Sequence, residues 1–133
     1  MLADGWSYGA WVVGAARIRG VESQWPAVGS KVHHSVGSWP LLLDDSTSVL
    51  ECETGHRLLL QARGWPAGEA TVEISVAAAA EGVEVTLTED ATVGPGTLVP
   101  QVIRSPVLTL RNTETLKRLV MLAHGRPVDG EQP

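Results

Sequence analysis

A chain of 133 residues with 44% hydrophobic side chains is enough for one domain with a real core and short for two. Its net charge of -5 and pI near 5.3 argue against the basic patch that neutralises phosphates, so nucleic acid is not an expected partner. A single cysteine excludes an internal disulfide, the first residues lack the basic start and apolar run of a signal peptide, and no apolar run approaches the roughly 20 residues of a membrane span. The expected location is the cytoplasm.

Met1 to Ala10, with Asp4, Gly5, Trp6, Ser7 and Tyr8, reads as a turn or helical fragment too short to fold alone. Trp11 to Val21 reads as a strand interrupted at Gly14, where a bulge or a close backbone approach fits. Gln24 to Ser30 is a loop. Lys31 to Gly37 alternates, with Val32, His34 and Val36 expected inward and Lys31, His33 and Ser35 outward. Ser38, Trp39 and Pro40 make a tight connection to a second hairpin strand, Leu41 to Glu51, whose better buried row is Leu43, Asp45, Thr47 and Val49. A turn at Glu53 to Gly55 leads into His56 to Arg63, with Leu58, Leu60 and Ala62 inward.

Beyond the loop at Gly64 to Gly68, Ala70 to Ala77 sets Val72, Ile74 and Val76 against Thr71, Glu73 and Ser75. Glu81-Gly82 closes a hairpin into Val83 to Asp90, whose inward row is Val83, Val85 and Leu87 and, by the same parity, Glu89. The long connection from Ala91 to Arg104 has room for one short helix. The spacing then predicts a helix from Pro106 to Gly125: Leu108, Leu116, Leu119, Leu122 and Ala123 recur at three- and four-residue steps, Ser105 suits the cap and Pro106 the first helical position. Six strands in successive hairpins followed by one long helix predict an α+β domain over residues 1–133, a curved antiparallel sheet wrapped around the C-terminal helix. Alternating βα units are absent, which argues against a Rossmann-type sheet.

Four polar residues fall on faces expected to point inward. Asn112 lies between Leu108 and Leu116 on the apolar helix face, where a buried amide needs partners: a strand end, a trapped water or a ligand. His34, Asp45 and Glu89 are the inward polar groups of the strands, and each has a structural and a chemical reading. They are satisfied core, turn or strand-end residues, or they hold a substrate oxygen and act as acid and base once burial and mutual charge shift their proton affinities. A metal site is not expected, because His33-His34 and Asp44-Asp45 are strand neighbours that point to opposite faces and no HExxH pattern is present. There is also no GxSxG, and Gly94-Pro95-Gly96 lacks the spacing and the Lys of a phosphate loop. Cys52, between Glu51 and Glu53, is expected to be unreactive, and Glu114 and Arg118 are placed for an i,i+4 pair on the outer side of the helix.

The opening LADGWSYGAWVVGA, the HHSVG strand leading to DDSTSVLE, the VEISV and VEVTLTED pair and RNTETLKRL in the final helix together resemble the START, Bet v 1 and polyketide cyclase superfamily of helix-grip proteins, the SRPBCC superfamily, over nearly the whole chain. The resemblance implies a helix-grip (Bet v 1-like) sheet around the C-terminal helix and, between them, a cavity for a small hydrophobic ligand such as a lipid or polyketide. Expected to line it are Trp11, His34, Asp45, Thr47, Leu60, Ile74, Leu87, Leu108 and Asn112. No cofactor is implied. Family members begin with a strand and a helix ahead of the segment matching Met1 to Trp11, and the expectation is that this chain lacks that strand and most of that helix. An open sheet edge is a pairing liability, so a homodimer is an expected assembly. Ligand binding is the first expected function. A polyketide cyclase or dehydratase using His34, Asp45 or Glu89 is the alternative, and an interaction protein with a filled core is a third reading.

Overall fold

The computed structural model describes residues 2–13, 15–36, 40, 42–64, 68–98 and 101–125; the side chains at positions 16, 36, 101–108 and 111 lie outside that description. Six strands, β1 (Ala15–Val21), β2 (Lys31–Val36), β3 (Leu43–Glu53), β4 (Arg57–Gly64), β5 (Gly68–Ala78) and β6 (Val83–Val93), precede a long helix α2 (Gln101–His124). They form one antiparallel sheet in the order β1-β2-β3-β4-β5-β6. The architecture is α+β, and no described helix is long and apolar enough to cross a membrane.

The chain enters through a 3-10 turn, Gly5–Ser7, and a single helical turn α1, Tyr8–Trp11. Asp4 caps this entry by accepting from the Trp6 N–H at 3.1 Å, which satisfies one of the donors a helix start leaves free. Gly5 is needed because the turn lies directly on the sheet: a Cβ there would stand 2.6 Å from Cγ1 of Val21 and 3.1 Å from Cγ2 of Val32. The Trp25 indole N–H donates to the Leu2 carbonyl at 3.2 Å and ties the first residues down.

Register aligns the inward side chains into rungs across the sheet. One runs Val21, Val32, Thr47, Ala62, Ala70, Ala91 from β1 to β6. Beside it runs Val49, Leu60, Val72, Glu89, and next Cys52, Leu58, Ile74, Leu87. Val32, Val49, Leu60 and Ile74 are fully buried, and with Tyr8, Trp11, Trp25, Leu58 and Leu119 they make one core. Each such aliphatic side chain contributes about 1.5–3 kcal/mol by leaving water. The outer face is wet, with Arg57 bridging Glu51 and Glu73, and Arg63 bonded to Glu69 at 3.2 Å. α2 lies over the inner face, packing mainly against α1 and β6, with Leu119 in the core and Leu116 and Leu122 half-buried.

Several expectations are corrected. Trp11 ends α1 and is not in a strand, because Tyr8 and Trp11 share one side of a helical turn and meet edge to face at 5.3 Å. The irregularities of β1 lie between Ala15 and Arg17 and between Ile18 and Gly20; Gly14, where one is expected, is outside the described residues, as are Gly37 at the end of the expected strand and Ser38 and Trp39 of the expected tight connection. α2 begins at Gln101, not Pro106. A 3-10 turn, Pro95–Leu98, starts the approach, and Pro106 sits within the helix, which forgoes the bond its missing N–H would give to the Val102 carbonyl. Leu43 and Val83 are 47% and 63% exposed, since both lie at strand ends that the core does not reach. Ala123 is also exposed; the inward helix face is Asn112, Thr115, Leu116, Leu119 and Leu122.

Candidate functional site

Among the described residues, a polar centre on the inner face is built by α1, β2 and β3. Thr47 is fully buried, and its hydroxyl lies 2.8 Å from the Tyr8 hydroxyl and 2.9 Å from Nε2 of His34. A hydroxyl accepts and donates at once, so Thr47 links the two groups into a short relay. Parity puts His34 and Thr47 on the same face, and the pleat lets His34 reach diagonally past its direct partner Asp45 to Thr47. The Tyr8 ring stacks on the His34 ring at 5.4 Å and 21°, and Trp11 meets the Tyr8 ring edge-on at 5.3 Å. The relay is locked laterally, because the Val13 N–H donates to Thr115 Oγ1 at 3.3 Å and so joins the end of α1 to α2.

Two polar atoms of this cluster have no hydrogen-bond partner among the described residues: Nε1 of Trp11 and Nδ1 of His34. The residues are 2% and 3% exposed. A buried donor or acceptor left without a partner costs about 1–3 kcal/mol, so this pair marks a place where a further polar atom is favoured.

Burial pushes the His34 imidazole below its ordinary value of 6.5; the Asp45 carboxylate opposes the shift, and Arg19 and His33 add to it. The folded state therefore holds His34 neutral. Below about pH 6.5 the unfolded chain binds a proton that the folded chain refuses, so stability is fully present above 6.5 and declines as pH falls from there to the lowered folded-state value. The urea midpoint at pH 5.5 is expected to lie below that at pH 7.5, with a smaller difference in His34→Gln.

The other expected site residues are distributed as follows. Asp45 faces His34 in register, but its carboxylate accepts from the Ser46 N–H at 2.8 Å and lies 3.5 Å from Nε of Arg63. Arg19 donates to the Asp45 and His34 carbonyls at 3.0 and 3.4 Å, bracing β1 to β3. Glu89 is on the inward row, half-buried and paired with Val72, three strands away from Asp45. The three acid-base candidates are thus not one constellation; His34 and Asp45 are neighbours and Glu89 stands apart. Trp11, Leu60 and Ile74 share the core with Leu87 packed on it, and Asn112 is half-buried on the inner helix face. The Leu108 side chain lies outside the described residues. His33 points the other way, toward Glu22 at 3.5 Å. Among the described residues no three His, Cys, Asp or Glu side chains are placed to hold a metal.

Two features escaped the sequence reading. Tyr8 completes the relay, and its only sequence signal is its i,i+3 spacing to Trp11 in a stretch otherwise read as a tail. The second is the rung Ala62, Ala70, Ala91 that continues from Thr47. All three alanines are half-buried. From Thr47 to Ala91 the rung crosses three strand spacings, about 14 Å. Neutral His34 beside a hydroxyl relay can exchange a proton with a group placed there. No protein-family model matches this chain, and no curated protein or solved structure matches it significantly.

Proposed function

We propose that this protein binds a small hydrophobic ligand between the sheet and α2, in the helix-grip manner its sequence resembles. The body of the ligand lies along Ala62, Ala70 and Ala91, and its polar end meets Trp11, His34 and Thr47. The observation that carries this reading is the pair of buried nitrogens, Trp11 Nε1 and His34 Nδ1, that have no partner among the described residues; the small, half-buried Ala62, Ala70 and Ala91 form the proposed trough. Each methylene taken from water contributes about 0.8 kcal/mol, so a chain of ten carbons supplies about 8 kcal/mol against an association cost of roughly 4 kcal/mol or more, and the apolar body alone supports affinity in about the millimolar range.

A saturable fluorescence rise with Nile red, a neutral apolar dye, is the expected result, and Ala70→Leu, which fills the trough on a strand that tolerates leucine, should weaken it at least about tenfold while the circular dichroism spectrum is kept. Dye binding untouched by Ala70→Leu would place the ligand elsewhere.

The Tyr8, Thr47 and His34 relay supports one further reading, the cyclase- or dehydratase-type enzyme. In it His34 alone does the proton transfer, with Thr47 setting its tautomer. Turnover of a poly-ketone substrate that disappears in His34→Gln, with Nile red binding retained, is what that reading requires.

A further inference from the structure

We propose that the outward face of α2 docks on the same face of a second copy of this chain, the two helices running antiparallel about a two-fold axis that passes between Glu114 and Lys117.

α2 has 24 residues but packs mainly on α1 and β6, through Thr115, Leu119 and the half-buried Leu116 and Leu122. On its other side Leu110, Val120 and Met121 are 74%, 46% and 68% exposed. Scattered apolar side chains are ordinary on a protein surface, but these fall on a pattern. Leu110, Glu114, Lys117, Met121 and His124 follow one another at steps of four, three, four and three, the spacing that keeps one seam of a helix against a partner helix. An open groove of about 570 Å³, lined by Thr113, Glu114, Leu116, Lys117, Val120 and Met121, runs beside that seam. It has room for an inserted leucine side chain.

The order of residues along the seam selects the occupant. Glu114 and Lys117 stand between Leu110 and Met121, so the seam complements itself when read backwards. In an antiparallel pair Leu110 meets Met121 of the second copy, Glu114 meets Lys117 of the second copy, and each contact is made twice. A parallel pair would set Glu114 on Glu114 and Lys117 on Lys117, and both contacts oppose it. Glu114 already holds Arg118 of its own helix at 2.9 Å, whereas Lys117 is in no ion pair among the described residues and is the cation left for a second Glu114. The sheet edges serve a second copy less well. β1 shifts register twice, and β6 carries Glu84, Glu89 and Asp90, which another β6 would meet with its own. A contact confined to one helix face falls below the roughly 1,200 Å² of a stable interface, so the dimer forms in the micromolar to millimolar range.

Sedimentation equilibrium of the full chain across that range reads the assembly. Wild-type protein should pass from monomer to dimer and stop there, as a closed two-fold contact requires. Leu110→Glu, at a side chain that is already exposed, should stay monomeric throughout with its circular dichroism unchanged. Glu114→Lys and Lys117→Glu should each weaken the dimer about five- to tenfold, because each turns two attractions into two repulsions. The double variant E114K/K117E, which keeps the net charge, should return to within about threefold of wild type. A wild-type chain that is monomeric at millimolar concentration overturns the proposal. So does a dimer that Leu110→Glu leaves intact, which places the contact on another surface such as a sheet edge, and so does a double variant that associates no more tightly than the single ones.

Discussion

Thr47→Val is expected to lower the unfolding free energy by about 2–3 kcal/mol, although it preserves side-chain shape and strand propensity. Thr47 sits fully buried between the Tyr8 hydroxyl and His34 Nε2. Valine keeps the packing and removes the bridge, so Nε2 joins Nδ1 as a buried nitrogen without a partner. The neutral imidazole then has both ring nitrogens unsatisfied, and His34 loses the contact that sets its tautomer. Thr47→Ser keeps the hydroxyl and should cost less than half as much, mostly for the lost methyl. Urea unfolding of the three proteins makes the comparison. Equal stability of the valine and serine variants would mean that the hydroxyl bridges nothing.

Gly68→Ala should be costlier still, about 3–4 kcal/mol, although only a methyl group is added. Gly68 opens β5 with φ near +116°, a region that L side chains rarely adopt. A Cβ there would also press on the carbonyl oxygen of Val93 and lie 2.8 Å from its carbonyl carbon, so the strain falls on backbone that cannot rotate away. It falls where the pairing of β5 with β6 shifts register between Glu69 and Ala70, immediately beside the alanine rung. Gly82→Ala provides the contrast. Its φ is +87°, but nothing lies within 4 Å of the added Cβ, so only conformational strain of about 1–2 kcal/mol is expected. Thermal or urea unfolding that ranks the two variants the other way would contradict the close contact at Val93. Because the distortion reaches Ala70 and Ala91, Gly68→Ala should also weaken Nile red binding.

Much of this fold is legible in the sequence because alternation and turn residues are local signals. The inward rows Val32 and His34, Leu58 and Leu60, Val72 and Ile74, and Val85 and Leu87 are read directly from period-two patterning, and the structure places them inward. Elements fixed by long-range contact are less legible. Trp11 begins a Gly- and Ala-containing run that resembles a strand, and its packing on Tyr8 goes with a helical turn instead. Ser105-Pro106 has the local chemistry of a helix start, while the structure begins α2 one turn and more earlier, at Gln101. For the site, strand parity alone marks His34 and Thr47 as inward. It does not say that they touch, because a diagonal contact depends on register. The alanine rung is invisible for the same reason: Ala62, Ala70 and Ala91 come from three strands, and each alone is an ordinary small residue.

The polar centre also weighs between the functional readings. A filled core accounts for Leu60 and Ile74, which are closed on every side. It does not account for two sealed nitrogens beside a ring stack, which a purely structural core would satisfy or replace with apolar atoms. An acid-base enzyme accounts for His34 and Thr47, but Glu89 lies three strands from Asp45 and Asp45 is bonded to Ser46 and close to Arg63. The proposed ligand binding accommodates the two nitrogens.

Native mass spectrometry of the protein purified from its own host tests that claim most directly. A species heavier than the chain by one small molecule is predicted, and the molecule released into organic solvent should be largely hydrocarbon. The bare chain mass, together with failure to take up added Nile red, would contradict the account.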